Sequence, residues 1–479
     1  MGLSEPQAPL FVDLDGTLTK TDCLLEAMLA MLRSNPLSLL KMFQWLSHGR
    51  AYFKKRVAEE VDLDIRSLPV NSSFLTYLEE QKSNGRQVIL ISAAHQTVVE
   101  KVAECYPLFD QAIGSDGDTN LKSEQKLDRI KELSQGESFA YAGNSEADLV
   151  IWRAADEIVV VNAEASIHKQ ATEIASENST LVAFDLPSPL GRRFLKAMRP
   201  HQWLKNFLVF LPLILSHQLN QAELFWLTFL GFMSFSLCAS SVYLLNDMLD
   251  IEHDRHHPSK SSRPFASGTL SLRLGFLGSP ALFLLSVLIA SSINGQFLLI
   301  MIGYWMTTCL YSFYLKRLYM ADALTLSLLY TLRIIAGSAA IGITTTQWLL
   351  AFSGFLFLGL ALLKRTTELR NLQLDFKTKV KGRSYDTEQL NVVAILGVMS
   401  SIAAIIVFTV YINAPATTEL YSSPATLWMI CPALVIMHGR VWLKAYLGDL
   451  DEDPVLFASH DRFSQVMLCL CGALLWLAI

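Results

Sequence analysis

The sequence predicts a two-part chain: an N-terminal α/β domain on a doubly wound parallel sheet, then an all-α bundle of about nine membrane-crossing helices. Three observations predict it. At 479 residues the chain is too long for one ordinary core. A hydrophobic content of 52% against 17% charged residues, with mean hydropathy +0.34, belongs to membrane proteins. The averages also hide a division. Up to about Pro187 charged and apolar residues mix as in a soluble domain, and beyond Trp203 long apolar runs follow one another.

The first strand is Leu10-Phe-Val-Asp13-Leu-Asp15-Gly16-Thr17-Leu18, an apolar run ending in two carboxylates and a turn glycine. A carboxylate nucleophile suits phosphoryl transfer, because the acyl phosphate it forms is readily hydrolysed. Further strands are legible at Val88–Ile91, which ends at Ser92, at Phe139–Ala142 and at Ile158–Val161. Helical stretches between them predict a parallel sheet with ligands at the strands' carboxyl ends. The stretch from about 23 to 82 has helical periodicity and is expected as a helical cap that excludes water and selects substrate. The domain is expected over 1–180. A linker over 181–198 is marked by Pro187-Ser-Pro189 and Gly191, before Arg192 and Arg193, two cations suited to anionic headgroups.

These pieces resemble the haloacid dehalogenase (HAD) phosphatase family over roughly 9 to 165. The resemblance implies that Asp13 is the nucleophile and Asp15 the acid/base of a D-x-D-G-T motif, and that Ser92 binds phosphate. It makes Lys126 the motif lysine, with Lys122 second. Gly143-Asn144-Ser-Glu-Ala-Asp148 resembles the metal motif G-D-x-x-x-D with Asn144 in place of the first Asp. Mg²⁺ is then expected among Asp13, Asp15, Asn144 and Asp148, with one negative charge lost at Asn144.

Beyond the linker, over 199–479, apolar runs near 203–216, 225–245, 274–292, 296–315, 322–342, 347–363, 390–412, 425–445 and 463–479 are the expected spans. Loops after the odd-numbered runs contain no Lys or Arg. Those after the even-numbered runs carry Arg255, Lys260, Arg263 and Arg273; Lys316 and Arg317; Lys364, Arg365, Arg370, Lys377, Lys379, Lys381 and Arg383; and Arg440, Lys444 and Arg462. The positive-inside rule then predicts a multi-pass inner (plasma) membrane protein with its N-terminal domain and basic loops cytoplasmic and its C-terminus outside. No charged-then-apolar signal sequence opens the chain, which agrees with that orientation. Seven scattered cysteines without metal-type spacing are expected as packing, and a net charge of −5 argues against a nucleic-acid partner.

The second run ends in Asn246-Asp247-Met-Leu-Asp250-Ile-Glu252-His253-Asp254. On a continuing helix, Asn246, Asp250 and Asp254 share one face. Carboxylates so close need a cation between them, and hard oxygen ligands with room for phosphate oxygens describe a Mg²⁺–diphosphate site that also takes in Asp247. Ionisable residues at membrane depth are costly and usually functional. His253, His256 and His257 stand among oxygen-rich neighbours, which disfavours zinc.

The run N-D-x-x-D-x-x-x-D resembles the first signature of the UbiA superfamily of intramembrane prenyltransferases, whose acidic residues bind Mg²⁺ and a donor diphosphate. That family has nine helices and a second acidic motif after the fourth span. Here the corresponding segment, Tyr311-Ser-Phe-Tyr-Leu-Lys316-Arg317-Leu-Tyr-Met-Ala-Asp322, contains Asp322 as its one carboxylate. A branch that transfers phosphoribosyl from phosphoribosyl diphosphate to polyprenyl phosphate is more similar. Its features resemble Arg199-Pro-His-Gln202-Trp-Leu-Lys205-Asn206, His257-Pro-Ser-Lys260-Ser-Ser-Arg263-Pro264, Arg333-Ile-Ile-Ala-Gly337 and Lys364-Arg365-Thr-Thr-Glu368. A phosphoribosyl donor adds a 5-phosphate and the acceptor adds another anion, so several cations are needed. Lys205, Lys260, Arg263, Lys316, Arg317, Arg333, Lys364 and Arg365 are available, with Gln202, Asn246, Tyr311 and Asp322 as further substrate contacts. Asp250 and Asp254 would stabilise leaving-group charge.

The leading expectation is therefore bifunctional. The membrane half would join phosphoribosyl diphosphate to polyprenyl phosphate and release pyrophosphate, and the HAD-like half would then remove the 5-phosphate. The first rival is an aromatic prenyltransferase using a polyprenyl diphosphate donor beside a regulatory or unrelated HAD-like domain. The second is a non-catalytic lipid-binding or transport protein.

Overall fold

The computed structural model describes residues 7–116, 121–178, 180–185, 188–374, 384–450, 457–458 and 460–479. Pro187, Lys377, Lys379, Lys381 and Arg383 lie outside these. The chain divides into two compact units, one of Met1–Arg199 with Tyr243–Ser279, the other of Pro200–Val242 with Pro280–Ile479.

The first unit is built on six parallel strands: β1 (Leu10–Val12), β2 (Val88–His95), β3 (Gln111–Ser115), β4 (Ala140–Gly143), β5 (Glu157–Val161) and β6 (Thr180–Phe184), in the order β3-β2-β1-β4-β5-β6. Leu10 is in register with Val88 on one side and Ala140 on the other. The two-residue period of a strand sends neighbouring side chains to opposite faces. Leu10 and Val12 join Val88, Leu90, Ala140 and Ala142 in one layer, and Phe11 joins Ile89, Ile91 and Tyr141 in the other. Both layers are buried, as a doubly wound sheet requires.

Two strands lack a signal in the sequence. β3, Gln-Ala-Ile-Gly-Ser, lies at a sheet edge and needs no continuous apolar run. β6 pairs with β5 where the linker was expected to begin, and Leu190–Met198 is helical, so most of that linker is ordered secondary structure. The inserted segment forms α1 (Cys23–Ser34), α2 (Ser38–Ser47), α3 (Arg50–Glu60) and α4 (Ser72–Ser83). Asp22 caps α1 by accepting from the N–H groups of Leu24 and Leu25, and Asn71 caps α4 through Phe74. Ala27, Met31, Met42, Trp45, Phe53 and Val57 form a small core joining α1, α2 and α3.

Among the described residues seven helices are long and apolar enough to cross a membrane: Ala222–Leu249, Leu272–Ile293, Gly295–Phe313, Ala321–Ala340, Gln347–Leu374, Thr387–Ile412 and Pro424–Leu447. Two of the nine expected runs take other forms. Arg462–Ala478 is a shorter apolar helix. The run at 203–216 is a 3₁₀ helix, Pro200–Phe210, leading into the short α-helix Leu211–Leu215, which has Pro212 at its start. At a rise of about 2 Å per residue the 3₁₀ segment reaches further than an α-helix of equal length.

Close helix approach in the second unit rests on glycine. A Cβ built on Gly337 would lie 2.1 Å from the carbonyl oxygen of Val209, a backbone atom that cannot swing aside. Gly337→Ala is expected to cost about 1–3 kcal/mol, visible as a lowered melting temperature in fluorescence-detected size exclusion. Gly303→Ala, where nothing lies within 4 Å of the added atom, should melt like the parent.

Candidate functional site

Asp13 leaves the end of β1, where the strand order reverses and parallel sheets open a crevice. Its N–H donates to the Ala142 carbonyl of β4 at 3.0 Å. The Lys126 ammonium donates to Asp13 Oδ1 at 2.8 Å and to the Tyr141 hydroxyl at 3.1 Å, and that hydroxyl donates to Asp148 Oδ1 at 2.7 Å. Lys126, not the exposed Lys122, therefore reaches the expected nucleophile. Burial alone would lower the Lys126 pKa, but Asp13 and Asp148 outweigh it and hold the ammonium charged.

Asp148 Oδ2 accepts from the N–H groups of Asn144 and Ser145 and from the Ser145 hydroxyl, at 3.1, 2.9 and 2.8 Å. Expected as a metal ligand, Asp148 instead has both oxygens committed to shaping the loop that presents Asn144. The Asn144 amide lies against Gly16, where an added Cβ would meet its Nδ2 at 2.0 Å. Gly16 also has φ +83°, so glycine is required there twice over. Asn144 thus stands beside the Asp13–Asp15 turn, and the Asp13 carboxylate and Asn144 carbonyl are hard oxygens that fit Mg²⁺.

Asp15 Oδ1 accepts the Cys23 N–H at 2.9 Å. Burial, with Asp22 nearby, pushes its carboxyl up to about 7, so near neutral pH it can carry a proton to give away. Ser92 is buried within β2, its Oγ accepting from the Ala94 N–H at 3.1 Å. One cation at this end of the sheet has no signal in the sequence. Lys54 of α3 donates to the Ala93 carbonyl at 2.8 Å, beside Ser92. It sits in the run Lys54-Lys55-Arg56, and nothing in that pattern sets it apart from its neighbours.

The acidic run also belongs to the first unit. Ala222–Leu249 ends before Asp250, and Ile251–Arg255 resumes helix after it. The Asp250 N–H still bonds the Asn246 carbonyl at 2.8 Å, and the Asp254 N–H bonds that of Asp250 at 2.9 Å, so the three residues keep to one face. Asp247 is buried and ion-paired with Arg199 and, at 3.3 Å, with Arg263. Arg263 also holds Asp254 at 2.6 Å. Burial raises the Asp254 carboxyl above its usual range, with Arg263 opposing and Lys260 adding a smaller opposing field. Asn246 Oδ1 is buried without a hydrogen-bond partner, an acceptor that suits a cation. Among the described residues no three His, Cys, Asp or Glu side chains gather around one metal position. Asn246, Asp250 and Asp254 nonetheless form an oxygen set that Mg²⁺ fits if phosphate and water supply the rest. Asp247, committed to two arginines, is the member that departs from the expected metal set.

In the second unit two expected substrate cations are buried among polar partners. The buried Arg333 donates to Asn206 Oδ1 at 2.8 Å, to the Leu329 carbonyl at 2.6 Å and to the Tyr304 hydroxyl at 2.8 Å, and it lies over the rings of Tyr304 and Tyr330. Arg365 pairs with Asp322 at 2.6 Å and with Glu368, while the Tyr385 hydroxyl also donates to Asp322. Asp322 has no exposed surface. A lone carboxylate buried among helices requires a cation and donors of its own, and Arg365 and Tyr385 stand there. Gln202, Lys205, Tyr311, Lys316 and Lys364 are half-buried on the same unit.

The pattern of the UbiA prenyltransferase family matches residues 207–475, and that of haloacid dehalogenase-like hydrolases matches residues 10–151. A protein of Sinorhizobium fredii bearing the name Uncharacterized protein y4nM is 34% identical over 457 residues, covering 95% of this chain and 88% of that protein. Nodulation protein NoeC of Azorhizobium caulinodans is 34% identical over 290 residues, covering 59% of this chain and 92% of its own length. Decaprenyl-phosphate phosphoribosyltransferase of Mycolicibacterium smegmatis is 30% identical over 293 residues, covering 59% of this chain and 90% of its own.

Proposed function

Because the chain belongs to the UbiA prenyltransferase family and carries a haloacid dehalogenase-like domain at its N-terminus, we propose that this multi-pass membrane protein is a bifunctional enzyme of lipid-linked ribose synthesis. Its helical half transfers 5-phosphoribosyl from phosphoribosyl diphosphate to polyprenyl phosphate, and its soluble half removes the 5-phosphate. The observation that carries this reading is the similarity of the helical half to a decaprenyl-phosphate phosphoribosyltransferase.

In the first step the acceptor phosphate oxygen bonds to ribose C1 as the C1–diphosphate bond breaks and pyrophosphate leaves. The acceptor is already an anion, so no general base is needed. Mg²⁺ bound by Asn246, Asp250 and Asp254 would neutralise charge on the leaving group. Arg263 and Lys260 add positive charge beside the run. Lys205, Lys316 and Lys364, with Arg333 and Arg365, are the cations we assign to the remaining phosphates. In the second step Asp13 attacks the 5-phosphorus and Asp15 protonates the departing ribose oxygen. Water then hydrolyses the aspartyl phosphate, with Asp15 accepting a proton. Lys126 holds Asp13 in place, Ser92 binds phosphate, and Mg²⁺ between Asp13 and Asn144 would offset its charge. The basic loops support a cytoplasmic placement of both sites, where a water-soluble sugar diphosphate is available.

Mass spectrometry of lipids after incubation with phosphoribosyl diphosphate, Mg²⁺ and polyprenyl phosphate tests the proposal. The expected product is polyprenyl-phosphoryl ribose together with released pyrophosphate. Turnover only with an allylic diphosphate and an aromatic acid would overturn it. Chelation by EDTA is expected to stop pyrophosphate release, and added Mg²⁺ to restore it. Release that persists in EDTA would remove the metal from the scheme.

A further inference from the structure

α2 is apolar on two opposite sides. Met42 and Trp45 face the small core with α1 and α3. On the outside Leu37 and Leu40 are 68% exposed, Phe43 64%, Leu46 49% and Leu39 46%. A helix apolar all round is normally enclosed, and so large an outward patch on a folded domain marks a surface that something covers.

The position of α2 within its own unit indicates what that is. α1 ends at Ser34, and its Arg33 is ion-paired with Glu252. Glu252 lies three residues beyond Leu249, the end of a helix long and apolar enough to cross a membrane. Leu29 and Ala30 line a common cavity with Met248, Leu249 and Ile251. The chain therefore enters α2 within a few residues of the point where a span leaves the bilayer. Charge agrees as well. Between Ser38 and Glu60 stand Lys41, Arg50, Lys54, Lys55 and Arg56 against Glu59 and Glu60. A cationic helix pair with a cluster of Leu and Phe suits the interface of an anionic leaflet.

We infer that α2 is a membrane-surface helix: Leu37, Leu39, Leu40, Phe43 and Leu46 insert at the headgroup–acyl boundary of the leaflet that the span leaves, with Lys41, Arg50 and Lys55 at the headgroups. The catalytic cap is thereby fixed on the lipid surface, so a phosphate attached to a membrane lipid needs little excursion to reach Asp13.

The test uses the full chain, one per nanodisc, in phosphatidylcholine with phosphatidylglycerol. Nitroxide labels are placed at Leu40→Cys and Phe43→Cys, both exposed, with Lys169→Cys as a water-facing reference and the unsubstituted chain as background. Collision with oxygen, which concentrates in lipid, is compared with collision with a water-soluble nickel chelate. The expected result is an oxygen-to-nickel ratio several-fold higher at 40 and 43 than at 169, falling when phosphatidylglycerol is omitted. Nickel accessibility equal to that at 169 would overturn the inference. So would shielding from both reagents accompanied by spin–spin broadening in nanodiscs loaded with two chains, because a second copy would then be the cover.

Discussion

Asp13→Asn is expected to leave lipid-linked phosphoribose undephosphorylated while pyrophosphate release continues. The amide cannot form the acyl phosphate, and loss of a nucleophile costs about 10³-fold or more. It also leaves the Lys126 ammonium, 2.8 Å away and buried, without its anion. A buried cation stripped of its partner costs about 3–5 kcal/mol, so the folded state has to be checked by melting. Lys126→Met separates the two effects, because it keeps the nucleophile and removes its cation. Phosphate release should then fall less steeply than in Asp13→Asn. Liquid chromatography with mass spectrometry reads both lipids, and pyrophosphate is assayed independently. Equal dephosphorylation in parent and Asp13→Asn would mean that the activity resides elsewhere.

Much of this arrangement was legible from residue order. The unbroken apolar run Leu10–Val12 predicts a strand buried on both faces, and the position of Asp13 at a strand end predicts its place in the crevice. The acidic spacing from Asn246 to Asp254 predicts a common face, which survives the helix break at Asp250 because its hydrogen bonds retain the i to i−4 pattern. What was not legible depends on partners distant in the chain. Nothing local tells Asp148 from a metal ligand; only the three donors to its Oδ2 and the Tyr141 hydroxyl reveal a loop scaffold. Arg333 stands out as a costly charge in an apolar run, yet its partners Asn206 and Tyr304 lie 127 and 29 residues away. Arg365 and Asp322 were both expected at the substrate, and composition cannot show that they form an ion pair with one another. The edge strand β3 is invisible for another reason: with little to bury, it carries little pattern.

Asp250→Ala should have the largest effect on the transferase. Asp247 is clamped by Arg199 and Arg263, and Asp254 by Arg263, so removing either disturbs an ion-pair network as well as any metal. Asp250 is half-buried, on the same face as Asn246, whose carboxamide oxygen lacks a partner. Removing one preorganised group that stabilises developing charge costs about 10²–10³-fold in rate. Pyrophosphate release per folded protein, with the folded fraction read from melting, should fall by that order. Hydrolysis of a soluble phosphomonoester at the Asp13 site should be unaffected. Asp247→Asn should show the converse, because it leaves two half-buried arginines without the buried carboxylate they share. Its melting temperature should drop, and its residual activity should follow the folded fraction. If Asp250→Ala retained full pyrophosphate release, the acidic run would be a charged helix end and not the diphosphate site. If it abolished both activities, the two sites would depend on one another through the ion pairs of the first unit. Arg255 with Glu26 at 2.5 Å is the first of these to cut.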